Sequence, residues 1–120
     1  MIYGLLNLTK RWAASRFFFP ISTLLITALG ALFRFGNLAN PQLLVFDETY
    51  YVKDAFSLLL NGVELDWQSD SDANFAKGDT SGFTNDPSFV VHPPLGKWLI
   101  GIGIKAFGNN EFGWRIIPAL

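Results

Sequence analysis

Residues 17–33, Phe-Phe-Phe-Pro-Ile-Ser-Thr-Leu-Leu-Ile-Thr-Ala-Leu-Gly-Ala-Leu-Phe, lie between Arg16 and Arg34 without a single charge. At about 1.5 Å per helical residue they reach roughly 25 Å, a few Å short of a bilayer's hydrocarbon core. The guanidinium groups of Arg16 and Arg34 can extend toward the headgroups, and Phe17, Phe18 and Phe19 thicken one end. The stretch therefore predicts a transmembrane helix over 17–36. Pro20 falls in the first turn, where its missing N–H costs nothing. A buried helix of a soluble domain would seldom run so far without a charge. A cleavable signal peptide would have a shorter apolar run and a small-x-small site, where this chain has Arg34-Phe35.

The charges of the 120-residue chain sum to -1, and that figure hides a partition. Residues 1–46 hold Lys10, Arg11, Arg16 and Arg34 and no acid, whereas nine acids crowd residues 47–91 against Lys53 and Lys77. Three cations precede the span and one follows it, which predicts a cytoplasmic N-terminus over 1–16 and an extracytoplasmic segment over 37–91. The sequon Asn7-Leu8-Thr9 would then stay inside, out of reach of glycosylation. With no cysteine in the chain, disulfide scaffolds, thiol catalysis and Cys-based zinc sites are excluded. No basic stripe interleaved with aromatics stands clear of the apolar segments, so nucleic acid is not an expected partner.

A second apolar stretch starts at His92-Pro93-Pro94 and runs to Phe107-Gly108. Lys97 and Lys105 near its two ends could snorkel, and Gly96, Gly101 and Gly103 would admit a neighbouring helix. It predicts a second transmembrane helix over 92–108. Residues 109–120 then read as a cytoplasmic turn and the start of a third span. The expected fold is an α-helical multi-pass membrane protein, of which this chain is an N-terminal fragment.

Between the spans, Val52, Ala55, Phe56 and Leu59 recur at helical spacing. They predict an amphipathic helix over 47–61, capped by Asp47, ended by Asn61-Gly62, and lying along the interface or on the transmembrane bundle. Residues 65–89 read as an acidic surface loop. Asp70, Asp72 and Asn74 begin like an EF-hand, but Phe75 stands at the glycine position and Ser81 at that of the bidentate glutamate. Asp70-Ser71-Asp72 also spells the Asp-x-Asp of nucleotide-sugar transferases, a chemistry with no soluble nucleotide donor on the outer face.

Two groups of residues flank the outward segment: Phe46-Asp47-Glu48-Thr49-Tyr50-Tyr51 and His92-Pro93-Pro94-Leu95-Gly96-Lys97. Spacing alone leaves Asp47 as a helix cap and Glu48 as a favourable first-turn charge, together worth about 1 kcal/mol. Together with Gly78-Asp79-Thr80-Ser81-Gly82 and Phe112-Gly113-Trp114-Arg115, however, the two groups resemble, in order and separation, the N-terminal part of bacterial protein O-mannosyltransferases. These belong to the polyprenyl-phosphate-sugar-dependent transferases of GT-C fold. The related lipid A aminoarabinose transferases are similar in Asp-Glu and Pro-Pro but carry Lys where this chain has His92.

The resemblance implies transfer of mannose from polyprenyl phosphate mannose to Ser or Thr hydroxyls of exported polypeptides, with inversion, at the outer face of the plasma membrane. The lipid bilayer and the protein-export machinery are the further implied partners, and no metal or other cofactor is implied. It makes Asp47 the general base, since a hydroxyl needs one at the moment of attack. Glu48 would orient Asp47 or the acceptor, while His92, with Lys97 about a turn on, would stabilise the donor phosphate. Arg115, at the start of the third span, is expected a bilayer thickness from Asp47 in a structural or topogenic role. A related transferase moving another lipid-linked sugar, and a non-enzymatic membrane-anchored interaction module, are the alternatives.

Overall fold

The computed structural model describes residues 15–89 and 92–120. The expected cytoplasmic start with its sequon lies, up to residue 14, outside the described residues, as do Val90 and Val91. The chain divides into two units, one ending at Gly36 and the other running from Asn37 to Leu120.

The first unit contains α1 (Phe18–Phe35), one residue shorter at each end than the apolar run suggested. Its mean hydropathy is 1.7 and none of its residues is buried in protein. Among the described residues it is the one helix long and apolar enough to cross a membrane. The Gly36 N–H closes the last turn on the Leu32 carbonyl at 2.9 Å.

The second unit consists of α2 (Glu48–Asn61), β1 (Leu65–Trp67), α3 (Asp72–Ala76), β2 (Phe83–Pro87), α4 (Leu95–Phe107) and α5 (Glu111–Ala119). Helix α2 packs on α4, and α4 packs on α5. Strands β1 and β2 pair antiparallel, Leu65 opposite Pro87 and Trp67 opposite Phe83, with an irregularity between them. Gly62 ends α2 at φ 75, a left-handed conformation that a side chain would strain, and its N–H bonds the Leu58 carbonyl.

The core gathers Val52 and Phe56 of α2 with Phe75, Ile104, Trp114 and Leu44. Phe75 is fully buried, its ring 5.5 Å from Phe56, 5.1 Å from Trp67 and 5.7 Å from Trp114. This corrects the expectation of a surface loop over 65–89. Its polar residues conceal Trp67, Phe75 and Phe83, which stack edge to face and fold the segment down onto α2. The apolar stripe of α2 is therefore covered by protein at Val52, Ala55 and Phe56, while Leu59 at its end stays exposed.

Helices α4 and α5 form a hairpin. Gly108, at φ 90, leaves α4, and Asn110 caps α5 by accepting the Gly113 N–H at 3.0 Å. A Cβ on Gly103 would collide with the Gly113 carbonyl, so glycine sets how closely the two backbones approach. Gly101 is less confined, since a Cβ there would sit 3.6 Å from the Ala55 carbonyl oxygen, and a Cβ on Gly96 would meet nothing.

Candidate functional site

The site is built at the start of α2. Phe46 adopts φ 49, unusual for a bulky residue, and its carbonyl accepts both the Thr49 hydroxyl at 2.8 Å and the Thr49 N–H at 3.1 Å. Asp47 follows as the residue before the helix. Its carbonyl accepts the Tyr50 and Tyr51 N–H groups, but its side chain makes no capping bond. The Asp47 carboxylate is exposed and, among the described residues, has no hydrogen bond or ion pair. The helix-cap alternative for this side chain is thereby removed.

Glu48, next in sequence, is fully engaged. Its Oε1 accepts Arg115 Nε at 2.7 Å, and its Oε2 accepts Arg115 Nη2 at 2.8 Å and the Val45 N–H at 3.0 Å. The same guanidinium donates from Nη1 to the carbonyls of Leu38 (3.0 Å) and Pro41 (3.1 Å), and from Nη2 to that of Leu43 (2.9 Å). One planar fork thus ties residues 38–45 and the first turn of α2 to the middle of α5. Arg115 does not lie a bilayer thickness away from Asp47: it is bonded to the adjacent residue. The α4–α5 hairpin turns within four residues and carries the chain back, which hydropathy cannot report.

His92 is exposed before α4, with its ring 5.8 Å from that of Tyr51, one helical turn along α2 from Asp47. His92, Tyr51, Leu99, Ile100 and Pro118 line a mostly apolar cavity of about 390 Å³. Lys97 contributes to the wall of this cavity but is only 2% exposed, with its Nζ 5.9 Å from the Tyr51 ring. It bonds Asp54 Oδ2 at 2.9 Å and Glu64 Oε2 at 2.5 Å, while the Ser88 hydroxyl donates to Asp54 Oδ1. Two carboxylates more than balance its charge, so it adds no positive field with which to hold a phosphate. Its geometric task is to join α2, the strand β1 approach and α4.

The structure thus brings Asp47, Glu48 and His92 to one end of the helices and turns Lys97 inward. Sequence reasoning missed Tyr51, between His92 and Lys97, and the contact made by Arg115. Phe112-Gly113-Trp114-Arg115 was visible as a motif, but nothing in it names Glu48 as the partner. Among the described residues no cluster of three His, Asp or Glu side chains could hold a metal ion.

No protein-family profile matches the chain, and no solved structure matches it. Curated proteins do. A polyprenol-phosphate-mannose–protein mannosyltransferase of Mycolicibacterium smegmatis is 37% identical over 98% of this chain and 19% of its own length. Its counterpart in Mycobacterium tuberculosis is 40% identical over 83% of this chain and 16% of its own. An undecaprenyl phosphate-alpha-4-amino-4-deoxy-L-arabinose arabinosyl transferase of Pseudomonas fluorescens is 32% identical over 94% and 16%. Spanning about a fifth of the length of the mycobacterial relatives it matches, this chain is a homologue of the polyprenol-phosphate-mannose–protein mannosyltransferases.

Proposed function

We propose that the intact protein transfers mannose from polyprenyl phosphate mannose to Ser or Thr hydroxyls of exported polypeptides. The observation that carries this reading is the contrast at the start of α2. Glu48 is neutralised and fixed by Arg115, while Asp47 beside it presents an unpaired carboxylate. As the acceptor oxygen attacks the anomeric carbon, Asp47 takes the hydroxyl proton. The bond from that carbon to the phosphate oxygen breaks on the opposite face, giving an inverted glycoside and free polyprenyl phosphate. His92, at the mouth of the apolar cavity, meets the departing phosphate where the first prenyl units would lie, and an imidazole N–H there stabilises the growing charge. Lys97 acts at one remove, holding α4 and so His92 in place. Because the leaving group is already a phosphate, it needs charge stabilisation more than a proton donor. The rest of the protein would complete a multi-pass GT-C fold in the plasma membrane, with the N-terminus cytoplasmic and Asp47 facing outward toward polypeptides from the export machinery.

The test uses the intact protein in membranes with polyprenyl phosphate mannose and a Ser/Thr peptide. Asp47→Asn is expected to lower the transfer rate about 10²-fold or more, and the product's anomeric configuration, read by NMR, to be inverted relative to the donor. Equal rates for variant and wild type would remove Asp47 as the base. The 32% identity to the arabinosyl transferase favours, as the second reading, a different lipid-linked sugar. Transfer of 4-amino-4-deoxy-L-arabinose in preference to mannose would select it.

A further inference from the structure

Asp47, at φ -65 and ψ -18, already has helical backbone, and the Tyr51 N–H closes the first turn of α2 on its carbonyl at 3.0 Å. Four residues apart, the two side chains share one face of the helix, with Cβ atoms about 6 Å from each other. His92 comes to this face from a distant part of the sequence. It stands before Pro93-Pro94, outside α4, where the following proline restricts its backbone but leaves both side-chain torsions free. Among the described residues its imidazole has no hydrogen-bond partner. What meets it is the Tyr51 ring, 5.8 Å away between centroids and tilted by 50°, within the range over which aromatic pairs attract. Tyr51 is itself anchored from within. Its half-buried ring lies 5.9 Å from Lys97 Nζ, an ammonium that Asp54 and Glu64 hold in place.

We propose that Tyr51 is a positioning residue of the transfer reaction, its ring fixing the His92 imidazole at a set distance from Asp47. The inference rests on the reading of His92 as the group that meets the departing phosphate. The acceptor enters on one face of the anomeric carbon as the phosphate leaves from the other, so base and imidazole must keep a defined separation across the sugar. One turn of α2 sets that separation, because Asp47 and the ring that orients His92 both belong to it. An imidazole free to turn would place its N–H away from the phosphate for much of the time. The aromatic face performs this task, since among the described residues the Tyr51 hydroxyl has no hydrogen-bond partner. Both rings also line the apolar cavity of about 390 Å³, so their contact shapes its mouth.

The test uses the intact protein in membranes with polyprenyl phosphate mannose and a Ser/Thr peptide. Tyr51→Leu is expected to lower kcat about tenfold with little change in the peptide KM, and Tyr51→Phe to restore the rate to within about twofold of wild type. In a His92→Ala background, Tyr51→Leu is expected to have no further effect, because it acts through the imidazole. Losses that multiply in the double variant would show an independent role, and a Tyr51→Phe as slow as Tyr51→Leu would assign the effect to the hydroxyl. Either result overturns the proposal. A second measurement needs no transfer: NMR of the intact protein labelled with ¹³C at histidine Cε1, the His92 signal being the one lost in His92→Ala. A ring-current shift of that signal is expected to persist in Tyr51→Phe and to vanish in Tyr51→Leu, and a signal that Tyr51→Leu leaves unmoved would overturn the proposal whatever the rates. A wild type inert toward mannose would remove the functional reading, while the ring-current comparison would still decide whether Tyr51 holds His92.

Discussion

Glu48 commits both carboxylate oxygens to Arg115 and the Val45 N–H, and the residue before it commits neither. Arg115 therefore governs the path of the chain into Asp47, through a fork that no single ammonium can imitate. Arg115→Lys would surrender the paired bonds to Glu48 and most of those to the Leu38, Pro41 and Leu43 carbonyls. The expected result is a loss of about 2 kcal/mol in unfolding experiments and a fall in transfer rate of about tenfold or more, with Asp47 untouched. A rate unchanged in Arg115→Lys would mean that this clamp does not position the site. Asp79 offers an independent check on the local geometry. Its Oδ1 accepts the Ser81 hydroxyl at 2.7 Å and the Ser81 N–H at 3.0 Å, bonds that favour the ionised form and hold its pKa below the usual carboxylate range. Their support for the 79–81 turn is present above pH ~4 and lost as pH falls through the lowered pKa. Ser81→Ala is expected to move the Asp79 titration, followed by its carboxyl ¹³C shift, back toward the ordinary value. An unmoved titration would show another cause.

At the scale of elements, the two glycines that hydropathy could not rank are separated by their neighbours. Gly103→Ala would force the α4 and α5 backbones apart and is expected to destabilise by about 1–3 kcal/mol. Gly101→Ala, meeting only ordinary contacts, is expected to be neutral or slightly stabilising, as Ala favours the helix. Thermal unfolding of the pair decides it, and equal midpoints would contradict the close approach. Helices were the most legible part of the sequence: the Val52–Leu59 periodicity and Asn61-Gly62 locate α2, and the charge-free run locates α1. What covers the periodic face was not legible. Phe75 reads as a broken EF-hand position until Phe56, Trp67 and Trp114 close around it, and that closure is tertiary. Asp54 and Glu64 gave no sign of facing Lys97, because a buried ion pair joins residues whose separation follows no period. Of the site, Asp47, Glu48 and His92 were visible through resemblance, whereas the inward turn of Lys97 and the reach of Arg115 depend on the hairpin.

For the Asn37–Leu120 unit as a whole, stability rests on one aromatic cluster shared by α2, β1, α3 and α5. Phe75→Ala is expected to cost about 3–5 kcal/mol and to raise hydrogen exchange throughout that unit. Faster exchange confined to α3 would show that the cluster does not unify the fold. The Arg115 clamp has a further consequence, in the time the chain takes to be made. Glu48 and Arg115 are 67 residues apart, and at roughly 5–20 residues per second several seconds of synthesis separate them. Throughout that interval Asp47 has emerged without its neighbour's partner. The clamp beside Asp47 is thus withheld from the nascent chain until α5 arrives to complete it.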